Sequence, residues 1–298
     1  MLTEKFLEYI KYERGYSSHT FLSYQADLEL FETYIQNQNK KGGFDPKSVS
    51  TRDIRAWLVS MMDQGASATT ISRRLSTLKS FYKFLRTNGY VDKMPTDGVR
   101  APKHPQRLPV FVKEGEMEDL MELLDVRAVD DDFVSHRDRM VIEMFYALGV
   151  RVSELINIKE KDIDIERNVI LITGKRNKQR LIPFGISIKS DILAFRKVKE
   201  TALETDTDYL FTTATGEQMT RFTVYKLVKK YLSMVCSLKK LSPHVLRHTF
   251  ATLMLNNGAD INSVKELLGH ANLQATEVYT HTDFDRLQKI YKQAHPRA

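Results

Sequence analysis

The stretch "SPHVLRHTFATLML" (residues 242–255) predicts a helix that opens with a cluster of positive and titratable side chains. Its initial serine and proline are a favourable N-cap and first-turn pair, so the helix should begin at about Pro243. His244, Arg247 and His248 are three and four residues apart and share one face. No carboxylate accompanies them in that turn. Because the free N–H groups of a helix start already favour anions, the stretch indicates an anion-binding site.

Two other interpretations apply to the same turn. His244 and His248 have the i, i+4 spacing of a zinc-binding helix, and His270 could be a third ligand. The glutamate of the HExxH motif is absent, however, and Arg247 lies between the pair, which disfavours a metal. A histidine at a helix start that only satisfies local hydrogen bonds would explain one histidine, but it explains a pair plus an arginine poorly.

Composition bounds the class of protein. The 298 residues carry a net charge of +7, which favours a polyanionic partner. Residues 1–107 hold 17 Lys and Arg against 11 Asp and Glu, so most of the excess lies in the first third. The single cysteine, Cys236, excludes a disulfide framework within one chain. With no signal-peptide pattern and no apolar run near the length of a membrane span, we expect a cytoplasmic protein without membrane contact.

The first ninety residues predict four helices. The fourth, "SATTISRRLSTLKSFYKFLRTNG", has an apolar stripe on one face and ends at Gly89. Basic residues on its other faces suit a phosphate backbone. A solvated helix face is the alternative explanation of such a charge run. The candidate contacts to DNA are Arg73, Arg74, Lys79 and Lys83.

The chain as a whole predicts a mainly α fold in two domains. Residues 1–91 form a small four-helix domain, and residues 92–108 form a proline-rich basic linker. Residues 109–298 form a larger, mostly helical domain with a small β-sheet or hairpin. That hairpin is predicted by "NVILITGKRNKQRLIPF", in which two β-branched runs flank a turn from Gly174 to Lys178.

Four further candidates are unremarkable when each is taken alone. Arg151 and His270 each follow a glycine that should stop a helix. Lys175 lies in the hairpin turn, where solvated lysines are common, and Tyr279 could be a core aromatic residue. The "TGK" sequence is not a phosphate-binding P-loop, because Val169 occupies the position where the motif needs its first glycine.

Taken together, six residues resemble the catalytic signature of the tyrosine recombinases, the phage integrase family, and most of all its bacterial Xer branch. The resemblance covers the whole chain, including the helical N-terminal domain, which is SAM-like in this family, the linker and the terminal "HPRA". Glu154 corresponds to an acidic residue that the family has beside its arginines. The matching residues are Arg151 in "GVRVSEL", Lys175 in "TGKRNKQR", His244 and Arg247 in "HVLRH", His270 in "LLGH" and Tyr279 in "TEVYTH".

The resemblance implies a site-specific recombinase that cuts and rejoins DNA through a covalent 3′-phosphotyrosyl intermediate, with no metal or other cofactor. Tyr279 would be the nucleophile, and Arg151 and Arg247 would stabilise the charge on the phosphate. Lys175 would protonate the departing 5′ oxygen. The two histidines of the signature would share proton handling and phosphate binding, in an order that the sequence leaves open.

The resemblance also implies partners. These are double-stranded DNA at a specific site, a homo- or hetero-tetramer with a second recombinase, and a DNA translocase that controls the resolution of chromosome dimers. The tail "DFDRLQKIYKQAHPRA" is amphipathic through Phe284, Leu287 and Tyr291. In this family such a tail docks in trans on a neighbouring subunit, and packing in cis is the alternative.

Three competing functions follow from the same residues. An integrase or invertase of a mobile element would share the chemistry and differ in its target site. A type IB topoisomerase would share the tyrosine, but the two-domain organisation disfavours it. A catalytically idle DNA-binding protein would have no need to keep Tyr279 and Lys175 together.

Overall fold

The computed structural model divides into two compact units, Met1–Arg107 and Leu108–Ala298. The domain and linker bounds expected from the sequence stay a prediction, and each unit is described by itself. For residues 281–285 only the backbone is described. The residues that the structure describes are 1–38, 43–103, 110–128, 132–174, 177–203, 207–238, 240–269 and 281–297.

The first unit contains the four predicted helices. Their apolar faces meet in one core, in which Phe6, Phe31, Leu78 and Phe81 are fully buried. Tyr82 is also buried and donates a hydrogen bond from its hydroxyl to the carbonyl of Pro46 at 3.2 Å. The helices are α1 (Leu2–Glu8, continued by a π-helical turn, Tyr9–Glu13), α2 (Ser18–Gln38), α3 (Thr51–Asp63) and α4 (Ala68–Thr87).

The bounds of α4 follow from local sequence chemistry. Ser67 caps its start and accepts a hydrogen bond from the N–H of Thr70 at 3.2 Å. Its predicted apolar stripe is buried along its whole length. After the helix ends at Thr87, Gly89 has a φ of +71°, a conformation that costs glycine little.

The second unit is mostly helical around one three-stranded antiparallel sheet. The order of the strands is β1–β2–β3, with Ile170 of β2 opposite Ile182 of β3. The predicted hairpin is therefore confirmed as β2 and β3, while the two-residue strand β1 is an addition. The elements are α5 (Glu114–Arg127), α6 (Phe133–Leu148), α7 (Val152–Leu155), β1 (Ile163–Asp164), β2 (Val169–Thr173), β3 (Gln179–Pro183), α8 (Ile186–Ala202), α9 (Arg221–Val235), α10 (Pro243–Asn256), α11 (Ile261–Leu268) and α12 (His281–Ala294).

Two glycines end the helices that deliver the site. Gly149 ends α6 with a φ of +58°, and Gly269 ends α11 with a φ of +65°, as their positions in the sequence predict. Both are closely packed, because a Cβ on Gly149 would lie 2.4 Å from the ring of Phe250. A Cβ on Gly269 would lie 2.9 Å from the guanidinium of Arg180. Glycine is therefore required at both positions for backbone conformation and for space.

In this single chain the helix α12 packs against its own unit, and docking in trans on a neighbouring subunit stays a prediction. The helix contacts α10, α11 and β3, and Leu287 and Tyr291 are buried in the core as the amphipathic pattern predicts. The side chain of Phe284 lies outside the described part of the chain. Beyond the helix, the buried His295 ring stacks on Tyr291 with 5.2 Å between the ring centroids. In the described residues, no helix is both long and apolar enough to cross a membrane.

Candidate active site

A buried carboxylate, Glu154, is the centre of the site. It is 3% exposed and lies in the short helix α7. Arg151 donates to it from its backbone N–H at 2.9 Å and from its guanidinium at 2.6 Å. Burial alone would raise the pKa of Glu154, but the bonds from Arg180 and Arg151 outweigh that effect and lower it. Glu154 is therefore ionised and orients the arginines around it.

Arg247 lies near the start of α10, where the sequence predicts an anion site. The helix begins at Pro243 as expected, although the side chain of Ser242 makes no capping bond. The Arg247 guanidinium donates to the carbonyls of Gly149 at 2.5 Å and Leu268 at 2.6 Å. Burial and the nearby Arg151 charge lower the pKa of Arg247 to about 9, so it stays protonated at neutral pH.

Arg151 and Arg247 are brought together by the ends of α6 and α11. Arg151 is the N-cap of α7 and donates to the carbonyl of Gly269 at 3.1 Å. Its side chain is 37% exposed, whereas the whole Arg247 residue is 8% exposed. Arg247 is thus fixed by backbone carbonyls from both glycine-terminated segments, and Arg151 presents a partly open guanidinium beside it.

The sequence analysis missed a third arginine of the cluster, Arg180. This residue lies on β3, is 6% exposed, and donates to both carboxylate oxygens of Glu154 at 3.1 and 2.9 Å. Its Nε also donates to the carbonyl of Leu267 at 2.8 Å. The available signal was its place two residues before Ile182, which puts it on the same face of the strand as an apolar residue, an unusual position for an arginine.

His244 and His248 lie on the exposed face of the first turns of α10. The ring of His244 meets the ring of Tyr225 edge to face, with 6.5 Å between centroids. Partial desolvation of the ring and the positive charges of Arg247, His248 and Arg151 lower the pKa of His244. The imidazole of His244 is therefore neutral at pH 7 and can accept a hydrogen bond or a proton.

Three of the predicted catalytic residues, Lys175, His270 and Tyr279, lie outside the described residues. The residues next to two of them are placed. Gly174 lies beside Glu154, because a Cβ there would be 3.4 Å from the Oε1 atom. Gly269 lies against Arg180 and Arg151. In the part of the chain that the structure describes, no group of His, Cys, Asp and Glu could hold a metal ion.

The four predicted DNA contacts on α4 fall into two pairs. Lys79 and Lys83 are exposed, four residues apart on one face. Arg73 and Arg74 instead pack against Asp27 of α2, which is 1% exposed. Arg73 is hydrogen-bonded to Asp27, and Arg74 lies 3.7 Å from it. Contact between DNA and these four residues stays a prediction.

The fold and the arginine cluster define the class of this protein as a tyrosine recombinase. The profile described as the phage integrase family matches residues 111–286, and the profile for its N-terminal SAM-like domain matches residues 3–89. The chain belongs to the phage integrase family, and within it to the Xer type, as an enzyme that cleaves and rejoins DNA in site-specific recombination.

Relatives and solved structures agree with this placement. The chain is 38% identical to the tyrosine recombinase XerC of Staphylococcus carnosus, over 100% of this chain and 98% of that protein. It is 35% identical to XerC of Chlorobaculum tepidum, over 99% of this chain and 94% of that protein. The fold is similar to that of the XerH recombinase in a post-cleavage complex with its difH substrate, at 24% identity and a TM-score of 0.72, covering 96% of this chain and 83% of that chain. The XerA recombinase is 26% identical with a TM-score of 0.50, covering 100% of this chain and 99% of that chain.

Proposed function

We propose that the arginine cluster around Glu154 binds the scissile phosphate and that Tyr279 attacks it. The tyrosine oxygen would form a bond to phosphorus while the bond to the 5′ oxygen breaks, giving a 3′-phosphotyrosyl link and a free 5′-hydroxyl. The observation that supports this most is the presence of Arg151 and Arg247 beside one buried carboxylate. Fixed guanidiniums suit a phosphate that gains negative charge during attack.

The remaining catalytic residues take roles that match their chemistry. Lys175 protonates the departing 5′ oxygen, and the neutral imidazole of His244 accepts a hydrogen bond or proton during attack. His270 contributes a further hydrogen bond to the phosphate. No metal or other cofactor takes part, because the guanidiniums supply the positive charge. The phosphotyrosyl link conserves the energy of the phosphodiester, so that the strand can be rejoined without ATP.

We further propose the cellular role that the Xer resemblance implies. The enzyme acts in the cytoplasm on double-stranded DNA at a specific site, as a tetramer with itself or with a second recombinase. It resolves chromosome dimers during cell division, under the control of a DNA translocase. The XerC relatives support this role over that of a mobile-element integrase or invertase, since they match over nearly the whole chain.

The test is to trap the covalent intermediate. The purified protein is incubated with nicked duplexes carrying candidate recombination sites, in EDTA without magnesium, and SDS-resistant adducts are resolved on a gel. We expect an adduct in the wild type and none in Tyr279→Phe. Tyr225→Phe is the matched control, because it removes an exposed hydroxyl near the site and should leave the adduct in place.

Two results would contradict the proposal. An adduct that persists in Tyr279→Phe would assign the nucleophile to another residue. Tight, site-specific binding without an adduct, also after a second recombinase is added, would favour an idle DNA-binding protein.

A further inference from the structure

Among the residues that the structure describes, three arginines share one buried carboxylate in the site. Arg151 and Arg180 are bonded to Glu154, and Arg247 lies 3.9 Å from its Oε2 atom. Three guanidiniums against one carboxylate leave a surplus of two positive charges among these described groups, in a largely buried place. Such a surplus is unfavourable for folding alone, because a buried charge normally needs a partner of its own. A fold that keeps this surplus is organised to receive an anion.

The same arginines donate hydrogen bonds to three consecutive carbonyls at the end of α11. The bonds run from Arg180 to Leu267 at 2.8 Å, from Arg247 to Leu268 at 2.6 Å and from Arg151 to Gly269 at 3.1 Å. These carbonyls form the negative end of the helix dipole, so each bond to a cation there is favourable. The end of α11, and with it the start of the segment that carries His270, is therefore held by the cluster.

Arg180 is about as buried as Arg247, but it differs from the other two arginines in its partners. It is 6% exposed, and its partners in the structure are the two oxygens of Glu154 and the Leu267 carbonyl. Every nitrogen of its guanidinium donates to one of them. Three of the five N–H donors of Arg180 are therefore used within the described part of the site, and with 6% exposure the residue acts on catalysis through these neighbours.

We propose that Arg180 is a positioning residue of the recombinase site. It donates to both oxygens of Glu154 from the buried side. The carboxylate can then orient Arg151 and Arg247, but its one negative charge does not neutralise both of them. It also fixes the end of α11 against the β2–β3 hairpin that leads to Lys175. This role rests on the proposed function for Arg151 and Arg247 as the phosphate ligands.

The test compares two substitutions of Arg180 with a matched control. Arg180→Met removes the charge and the donors at similar length, and Arg180→Lys keeps the charge with one donor group. The control is Arg137→Met, because Arg137 is equally buried in the same unit, pairs with Asp138 at 2.6 Å and lies outside the site. Each variant is assayed for site binding, for folding by circular dichroism, and for the single-turnover rate of adduct formation at saturating protein.

We expect Arg180→Met to bind the site with little change and to form the adduct about tenfold to a hundredfold more slowly, since small displacements of catalytic groups have effects of that size. Arg180→Lys should recover part of the rate. Arg137→Met should keep the wild-type rate wherever it is folded. A folded Arg180→Met with the wild-type rate would overturn the proposal, as would an equal loss in Arg137→Met. If Arg180→Met does not fold, a wild-type rate in Arg180→Lys would also overturn it.

A second measurement separates this proposal from the proposed function. Inorganic phosphate is titrated into Tyr279→Phe protein, with and without Arg180→Lys, while the ring signals of His244 are followed by NMR. We expect weaker phosphate binding in the Arg180→Lys background and unchanged binding in the Arg137→Met background. If the wild type forms no adduct on any site, this titration still decides the role of Arg180. Equal phosphate affinity with and without Arg180→Lys would refute the positioning role.

Discussion

At the scale of single residues, the site depends on one ionised carboxylate and the cations around it. Glu154 is buried and keeps its charge because arginines donate to both of its oxygens. Partial burial and the positive charges of nearby groups, Arg247 and Arg151 among them, lower the pKa of His244. An imidazole that stays neutral near pH 7 can take up a proton when the phosphate is attacked, so the pKa of His244 is a direct report on the electrostatics of the site.

Removal of one positive neighbour should raise the pKa of His244. His248 lies one turn further along α10, and its charge is among the causes of the lowered value. In His248→Ala we therefore expect His244 to become protonated at a higher pH than in the wild type. Histidine NMR titration of the two proteins measures this. A His244 titration that is identical in the two proteins would show that the pair does not interact.

At the scale of elements, the glycine-terminated helices α6 and α11 determine where the arginines bind. The carbonyl of Gly149 accepts from Arg247, and the carbonyl of Gly269 accepts from Arg151. Both glycines have positive φ and touch neighbouring side chains. Because each of these two helices ends at its glycine, the glycine carbonyls lie where the arginines can donate to them.

The substitution Gly149→Ala should destabilise the second unit by more than about 1 kcal/mol, because strain at positive φ adds to a clash with Phe250. The matched control is Gly258→Ala, where φ is +87° and a Cβ would meet nothing within 4 Å. Urea unfolding measures the difference. Equal losses in the two variants would show that the contact with Phe250 contributes nothing.

Sequence reasoning found the parts of the site that local chemistry determines. The helix stops at Gly149 and Gly269 were predictable because glycine favours the left-handed conformation wherever it occurs. The role of Arg180 was not predictable in that way. Its partners Glu154 and Leu267 lie 26 and 87 residues away, and no periodic pattern in a single sequence indicates which residues pair over such separations. The strand β1 was missed because two residues give no detectable alternation.

At the scale of the whole molecule, charge is unevenly distributed between the two units. The first 107 residues carry most of the positive excess, and on α4 the exposed Lys79 and Lys83 contribute to it. A polyanion such as DNA binds such a surface with release of counterions, so that affinity falls as salt rises. The slope of that dependence counts the phosphate contacts.

The double variant Lys79→Ala, Lys83→Ala should reduce the slope of log affinity against log salt by about two, one for each lost phosphate contact. Fluorescence anisotropy with a labelled duplex measures it. The control variant, Lys161→Ala with Lys197→Ala, removes two exposed lysines from the second unit. A slope unchanged from the wild type would mean that α4 does not contact phosphates through these lysines.

Glu143 and His295 are buried beside Arg297, and they should make the stability of the second unit depend on pH in opposite directions. Burial raises the pKa of Glu143 to about 7, although the Arg297 charge opposes the rise. Burial lowers the pKa of His295 to about 4, and its ring bonds to the carbonyl of Tyr146 and the N–H of Arg297. Folded Glu143 binds its proton more tightly than the unfolded chain, so its contribution to stability falls as pH rises through 7. His295 stays neutral where the unfolded chain is protonated, so its contribution falls as pH drops below about 6.5.

As the pH rises from 4.5 to 7, the free energy of unfolding of Glu143→Gln should therefore increase relative to that of the wild type, by up to about 3 kcal/mol. His295→Phe should show the reverse, with a relative gain as pH falls from about 6.5 to 4. Circular dichroism in urea follows the helices of both units, while the fluorescence of Trp57, the single tryptophan, follows the first alone, so the difference between the two curves reports on the second. Parallel curves for the wild type and Glu143→Gln would show that Glu143 does not titrate in this range.

The long separation between the parts of the arginine cluster has a consequence for protein synthesis. Arg247 binds a carbonyl 98 residues earlier, and Arg151 binds one 118 residues later. A nascent chain without α10 and α11 already contains Glu154, Arg151 and Arg180. It still lacks Arg247 and the carbonyls at the end of α11 to which the three arginines donate. The complete anion-binding cluster can therefore form only after α11 has been synthesised, so unfinished or prematurely terminated translation products lack it.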